Sequence, residues 1–194
     1  MPRTQEDRSR TTRGALLAAG RQLFAERGYA QVSADEIVAA AGLTRGALHH
    51  HYKDKQGLFQ AVFEQIEVEF QTELETAMAQ ATDVTGRMAV GLTTFLDLCQ
   101  RPDILRVGLL DAPTVLGWET WRAIETEHAF GLIVDLLDKA AAENLLAQPP
   151  STVLARFVLS AVIEAALMIA HETATRAEVE ASLGALLAGV FTTT

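Results

Sequence analysis

Three adjacent histidines, a tyrosine and two lysines stand in the segment LTRGALHHHYKDK, Leu43 to Lys55. Histidine can ligate a metal, relay a proton near neutral pH or, when charged, pair with an anion. Successive residues of a helix point about 100° apart, so His49, His50 and His51 cannot converge on one ion. A metal site needs an i, i+4 pair or a ligand elsewhere. The chain holds no HExxH and a single cysteine, Cys99, too few for a thiolate cluster. No metal site and no cofactor are expected. No carboxylate or nucleophile is spaced to make a catalytic set with these histidines, so no catalytic residue is assigned and the chain is not read as an enzyme. The remaining chemistry is an anionic surface lying against them.

Charge narrows the partner. Of 194 residues, 49% are hydrophobic and 21% charged, a balance that suits a folded chain with a sizeable core. The formal net charge of −9 disfavours a polyanion on its own. Its distribution does not, because residues 1–55 carry a net +3 and residues 56–194 a net −12. A basic front on an acidic body predicts two parts, residues 1–55 and residues 56–194. The polar N-terminus, MPRTQEDRSRTTR, does not read as a signal peptide. The longest apolar run, Val153 to Ala170, contains Arg156 and Glu164 and predicts a buried helix, not a membrane span. With one cysteine, a reducing, cytoplasmic setting is expected.

The elements that must position these residues are helical. Proline is scarce, strand alternation is absent, and an all-α fold of about nine helices is expected. The first runs from about Thr12 to Arg27 and stops at Gly28. Ser33 with Glu36 makes a capping box for a short helix that ends at Gly42. Thr44 caps the next, to about His50, and Asp54 caps a long fourth helix. Further segments are read near 87–99 and 103–110, with Pro113 as an interruption, then about Trp118 to Ala142 as one helix. Gln148-Pro149-Pro150 punctuates the chain before two last helices, about Ser151 to Glu172 and Arg176 to Phe191.

Ser33 to His51 therefore reads as two short helices joined by AAGLT, a helix-turn-helix. Gly42 permits the turn, and Ile37, Val38, Leu43 and Leu48 lock the helices together. In such a motif the second helix enters the DNA major groove with its N-terminal residues toward base edges. Those residues are Thr44, Arg45, Gly46 and Ala47. Arg45 can reach guanine O6 and N7 in a bidentate manner. Gly46 lets the backbone approach closely, and Ser33 and Thr44 sit at helix N-termini suited to a phosphate.

The stretch VSADEIVAAAGLTRGALHHHYKDKQGLF, preceded by AAGRQLFAERGYA, resembles the DNA-binding domain of the TetR family of transcriptional repressors. The likeness covers about Arg10 to Phe63. It implies a three-helix head followed by an all-helical ligand-binding and dimerisation domain. It also implies a phosphate contact for Lys55. His49 and His50 are expected to face the phosphate backbone, with His51 a hydrogen-bonded structural residue on the inner side; the alternative is a merely solvated histidine run. His49 stands where relatives have a tyrosine, and Tyr52 where they have a buried phenylalanine, so the Tyr52 hydroxyl needs a partner or an exit to water. Lys53 is read as a solvated charge. Arg3, Arg8, Arg10 and Arg13 are expected to form an N-terminal arm that reaches the backbone or minor groove, with a disordered tail as the alternative for Arg3 and Arg8.

In the acidic part, the last two segments are more apolar than one amphipathic face requires, which fits a central core or a subunit interface. Two from each chain would make a four-helix bundle in a homodimer. The middle helices are expected to enclose a small-molecule effector, with Phe95, Cys99, Val115, Trp118, Trp121, Phe130 and Phe157 as lining candidates, or as ordinary core. The expected function is a ligand-responsive repressor, released from a palindromic operator in double-stranded DNA by a small hydrophobic or aromatic effector. A transcriptional activator or architectural DNA protein with the same head is the alternative.

Overall fold

The computed structural model describes residues 5–147 and 149–190. The expectations for Arg3, Gln148 and Phe191 lie outside the described residues. Among the described residues there are ten α-helices, one 3-10 turn and one π-helical segment. They are α1 Gln5–Arg27, α2 Ala34–Ala40, α3 Arg45–Tyr52, α4 Lys55–Met78, α5 Val84–Leu98, α6 Ala112–Leu116, α7 Trp118–Glu127, α8 Ala129–Ala142, α9 Thr152–Ala170 and α10 Arg176–Ala188. The 3-10 turn, Tyr29–Gln31, follows α1, and the π-helical segment, Ile104–Asp111, precedes α6.

The chain groups into two compact units. The first holds residues up to Ile66 together with Pro102–Arg122, and the second holds Glu67–Arg101 and the residues from Ala123 on. The expected division at 55/56 differs from this grouping in two ways. Helix α4 runs unbroken past that point, and residues 102–122 return to the head. A linear reading cannot see the return, because its contacts are long-range. Arg21 donates to Asp103 at 2.6 Å, the Tyr29 N–H donates to Asp111 at 2.7 Å, and the Gln56 amide donates to the Val115 carbonyl at 2.9 Å.

Two further differences concern helix ends. Pro113 does not interrupt: it sits in the first turn of α6, where its missing N–H costs nothing. The helix expected from Trp118 to Ala142 is broken at His128, whose φ of −111° and ψ of −91° leave the helical region. No proline or glycine marks this break, and the His128 ring instead lies 3.2 Å from the Gln71 side chain.

Apolar residues at helical spacing build the first unit. Leu16, Phe24, Ile37, Leu58, Phe59, Val62 and Phe63 are fully buried. Phe24, Tyr29 and Phe59 form a ring cluster with centroids 5.1–5.8 Å apart. Gly20 lets α4 come close, since a Cβ there would meet Leu58 at 3.0 Å. In the second unit α8 and α9 pack together and against α5, and α10 packs on α9. Arg176 ties α10 to α5 by pairing with Asp97 at 2.5 Å and to its own helix through Glu180 at 2.7 Å.

Helix α9 is long and apolar enough by composition to cross a membrane. Here Ala155, Leu159, Val162, Ala165 and Ala166 are buried against the second unit. The expectation of a buried helix holds for that face alone, because Val153 and Phe157 on the same helix are 60% and 67% exposed.

Glycine 57 sets the junction of α3 and α4. A Cβ at this position would lie 2.1 Å from the Tyr52 carbonyl oxygen, a contact that only backbone movement can relieve. Gly57→Ala is expected to lower the unfolding free energy by about 2–3 kcal/mol, measured by urea denaturation. Unchanged stability would show that the junction can yield.

Candidate nucleic-acid interface

The geometry of the second short helix follows from its two ends. Helix α2 ends in a Schellman motif: the Leu43 N–H donates to the Val38 carbonyl at 2.8 Å and the Gly42 N–H to the Ala39 carbonyl at 3.1 Å. Gly42 takes φ 65°, the left-handed conformation that favours glycine. Thr44 is the N-cap of α3, its hydroxyl accepting from the Ala47 N–H at 3.3 Å. At the far end Lys53 has φ 72°, and the His49 Nδ1–H donates to its carbonyl at 2.7 Å. His49 thus caps its own helix and presents Nε2 outward.

The inner face of α3 is anchored by Leu48 and Tyr52, 4% and 7% exposed. The Tyr52 hydroxyl finds the partner it needs, donating to the Arg13 carbonyl at 2.9 Å. Burial raises the Tyr52 phenol above its ordinary value. His51 is half-buried and packs edge-on against His50 with ring centres 4.9 Å apart. The expected hydrogen bond of His51 is not among its described contacts. Burial first, then the neighbouring His50 and Arg13, lowers its affinity for a proton.

The outer face is different. Thr44, Arg45, Gly46, His49 and His50 are all exposed, and Ala47 is half-buried. Ser33 is exposed at the start of α2, where the capping box with Glu36 is complete. Hydrogen bonds from Ser33, and then from Arg27, hold the Glu36 carboxyl down at about 2. Gly46 has no fold-imposed need to lack a side chain: a Cβ there would touch the Thr44 hydroxyl alone, at an ordinary 3.7 Å.

Lys55, expected to contact a phosphate, is tied to the fold. Its ammonium turns inward, donating to the Tyr29 carbonyl at 3.0 Å and the Val32 carbonyl at 2.8 Å, and lies 3.8 Å from the Tyr29 ring centre. Two of its three donors serve the fold, and burial lowers its affinity for a proton. Arg8, Arg10 and Arg13 do not form an extended arm: all three lie in α1, and Arg10 pairs with Asp7 at 2.6 Å.

The residues expected to line an effector pocket do not converge. An apolar cavity of about 90 Å³ lies within the second unit, lined among others by Leu74 and Met78 of α4, Leu92 and Phe95 of α5, Leu136 of α8 and Val158 of α9. Of the seven expected lining residues it includes Phe95 alone. Cys99 is buried outside that lining, with burial pushing its thiol far up. Phe130 is buried under the Arg156 guanidinium at 4.0 Å, and Phe157 is exposed. Val115, Trp118 and Trp121 belong to the first unit, where the Arg122 guanidinium stacks on both tryptophans at 4.4 and 4.8 Å.

Two acidic residues in the second unit escaped the sequence reading. Glu125 is 5% exposed and lies 3.8 Å from Arg156. Burial, and then the charge of Glu125, pushes the Glu67 carboxyl up to about 8. Among the described residues no group of three histidine, cysteine or acidic side chains is placed to hold a metal.

A helix-turn-helix head joined to a helical second unit defines a class of DNA-binding regulators, and comparison identifies it. Residues 16–62 match the model of bacterial regulatory proteins of the tetR family, and residues 73–190 match the tetracyclin repressor-like C-terminal domain. The chain belongs to the TetR family of transcriptional regulators. It is 29% identical over 153 residues to the transposon Tn10 TetC protein of Escherichia coli, covering 77% of this chain and 76% of that one. The repressor BepR of Brucella suis is 44% identical over 62 residues, 32% of this chain and 29% of that one. A crystal structure of a TetR-family regulator from Pectobacterium atrosepticum superposes with a TM-score of 0.80 at 33% identity, covering 98% and 99% of the two chains. Regulators of this family bind DNA, and the chain is not an enzyme.

Gly46 separates folding from binding. Gly46→Ala is expected to leave thermal stability equal or raised by up to about 1 kcal/mol, because alanine favours helix. The same change is expected to weaken binding to duplexes selected by the wild-type protein, measured by fluorescence anisotropy. Wild-type affinity in the variant would show that the backbone of α3 does not approach the duplex closely.

Proposed function

We propose that the chain is a repressor that holds a palindromic operator as a homodimer and releases it when a small apolar effector enters the second unit. The observation that carries the DNA half of this reading is the exposed N-terminal end of α3. Arg45 and Gly46 there are exposed, and the missing side chain of Gly46 serves nothing inside the fold. Arg45 reads a base, Thr44 and Ser33 meet phosphates at helix N-termini, and His49 offers Nε2 to the backbone. A protein with this task works in the cytoplasm. An activator or architectural protein with the same head predicts no release by an effector.

Support for a dimer comes from α9 and α10. Val153, Phe157 and Leu186 are 60%, 67% and 58% exposed. Large apolar side chains so exposed on adjacent helices fit a subunit interface. Phe157→Asp is expected to give a folded monomer by light scattering that no longer binds a two-half-site duplex at physiological salt. A variant that stays dimeric would move the interface elsewhere.

The effector reading rests on the cavity between α4, α5, α8 and α9. Its lining contains no charged or amide side chain, so the effector is neutral and apolar where it is held. At about 90 Å³ the space is below the roughly 300 Å³ of an ordinary ligand site. A larger effector must displace part of the wall, and that wall includes Leu74 and Met78 of α4, the helix that begins at Lys55 just after α3. Leu92→Trp is expected to fill the space, leave operator binding intact and abolish release by apolar compounds that free the wild-type protein from its operator. Undiminished release would place the effector in another site.

A further inference from the structure

Arg45, the residue proposed to read a base, is not a free cation. Both its Nε–H and an Nη2 N–H donate to the two carboxylate oxygens of Asp35, the second contact at 2.7 Å. Asp35 lies in the first turn of α2, so the pair bridges α2 and α3 across the Gly42 turn. Each side chain is 67% exposed, so water competes with the pair and its value for stability is small. What it does fix is direction. A lone arginine samples many rotamers and finds phosphates as readily as bases. With the Nε/Nη2 edge of the guanidinium held on Asp35, the adjacent end of the group still carries two parallel N–H donors, one from Nη1 and one from Nη2. That fork matches guanine O6 and N7. The pair also cancels the arginine charge, which removes the reason for Arg45 to settle on a phosphate.

We propose that Asp35 is a specificity-determining positioning residue: it holds the Arg45 guanidinium edge-on for guanine and keeps it from serving as a general phosphate contact. The proposal rests on Arg45 reading a base. As DNA closes over the pair and excludes water, the carboxylate and guanidinium interact more strongly than they do in the free protein. An unpaired carboxylate at this surface would only repel DNA, so its cost is justified by the geometry it imposes on its partner.

The test uses the purified full-length protein and a random-sequence duplex library. Duplexes enriched by the wild type are compared, by anisotropy against salt, with single-base variants at each half-site position. The wild type is expected to demand guanine at one position per half-site. Arg45→Ala is expected to relax that demand. Asp35→Ala is expected to reduce discrimination at the same position by about tenfold, to bind unrelated duplexes at least as tightly, and to steepen the salt slope by about one. Asp35→Glu, which keeps a carboxylate, is expected to recover part of the discrimination, and helical circular dichroism is expected to be equal throughout. A guanine demand that survives Arg45→Ala would overturn the base-reading role of Arg45 and this inference with it. A demand lost in Arg45→Ala but intact in Asp35→Ala would overturn the inference alone, leaving Asp35 as a competing anion.

Discussion

An eight-residue helix cannot hold itself in water, and everything this protein does on DNA depends on holding one. Two turns of helix are too short to be stable alone, so α3 takes its orientation from its surroundings. The Schellman turn at Gly42 fixes its entry. Leu48 and the Tyr52–Arg13 bond fix its inner face, and the left-handed Lys53 with the His49 cap fixes its exit. Gly57 then lets α4 start against the Tyr52 carbonyl with no room to spare. Each constraint is modest, but each removes a direction in which α3 could swing.

The same logic sorts the polar residues of the head. Lys55 and Arg45 are both cations in the basic front, and neither was expected to be held by the fold. Lys55 is spent on two carbonyls, those of Tyr29, which opens the 3-10 turn, and of Val32, which follows it. Arg45 is held by a carboxylate but remains exposed. A histidine run that invites a metal reading divides likewise: His49 is a helix cap with an outward nitrogen, His50 is exposed, and His51 packs beneath it. Residue type alone therefore says little about the duplex. The partner inside the fold decides which groups remain available outside it.

The head was legible because its signals are local. A capping box, a glycine turn and apolar spacing over 20 residues place Ser33, Gly42, Thr44 and Leu48 where the structure has them. The rest of the chain was less legible because its decisive contacts are long-range. Nothing between Asp103 and Asp111 announces that both carboxylates will bind α1 and the turn after it. The break at His128 has no glycine or proline to mark it. The cavity was missed for a related reason. Aromatic residues drew attention, yet the space is walled mainly by leucine, methionine and valine at spacings that read as ordinary core. An aliphatic pocket and an aliphatic core have one sequence signature, and what separates them is a packing gap.

That gap bears on how such a molecule would respond to a ligand. A ligand shifts an equilibrium only by its differential affinity for the two states. A roomy, preformed pocket accepts a ligand with little change in its walls and so offers little differential. A cavity of about 90 Å³ is the opposite case. Close-packed walls do not deform continuously, so a larger apolar molecule either stays out or selects a state in which part of the wall has moved, and Leu74 and Met78 are part of that wall. Both side chains lie on α4, a single unbroken helix whose first residue, Lys55, also holds the backbone of the turn before α2. In the proposed scheme, then, the small size of the cavity is what gives an effector with no polar handle the power to change the state of the head.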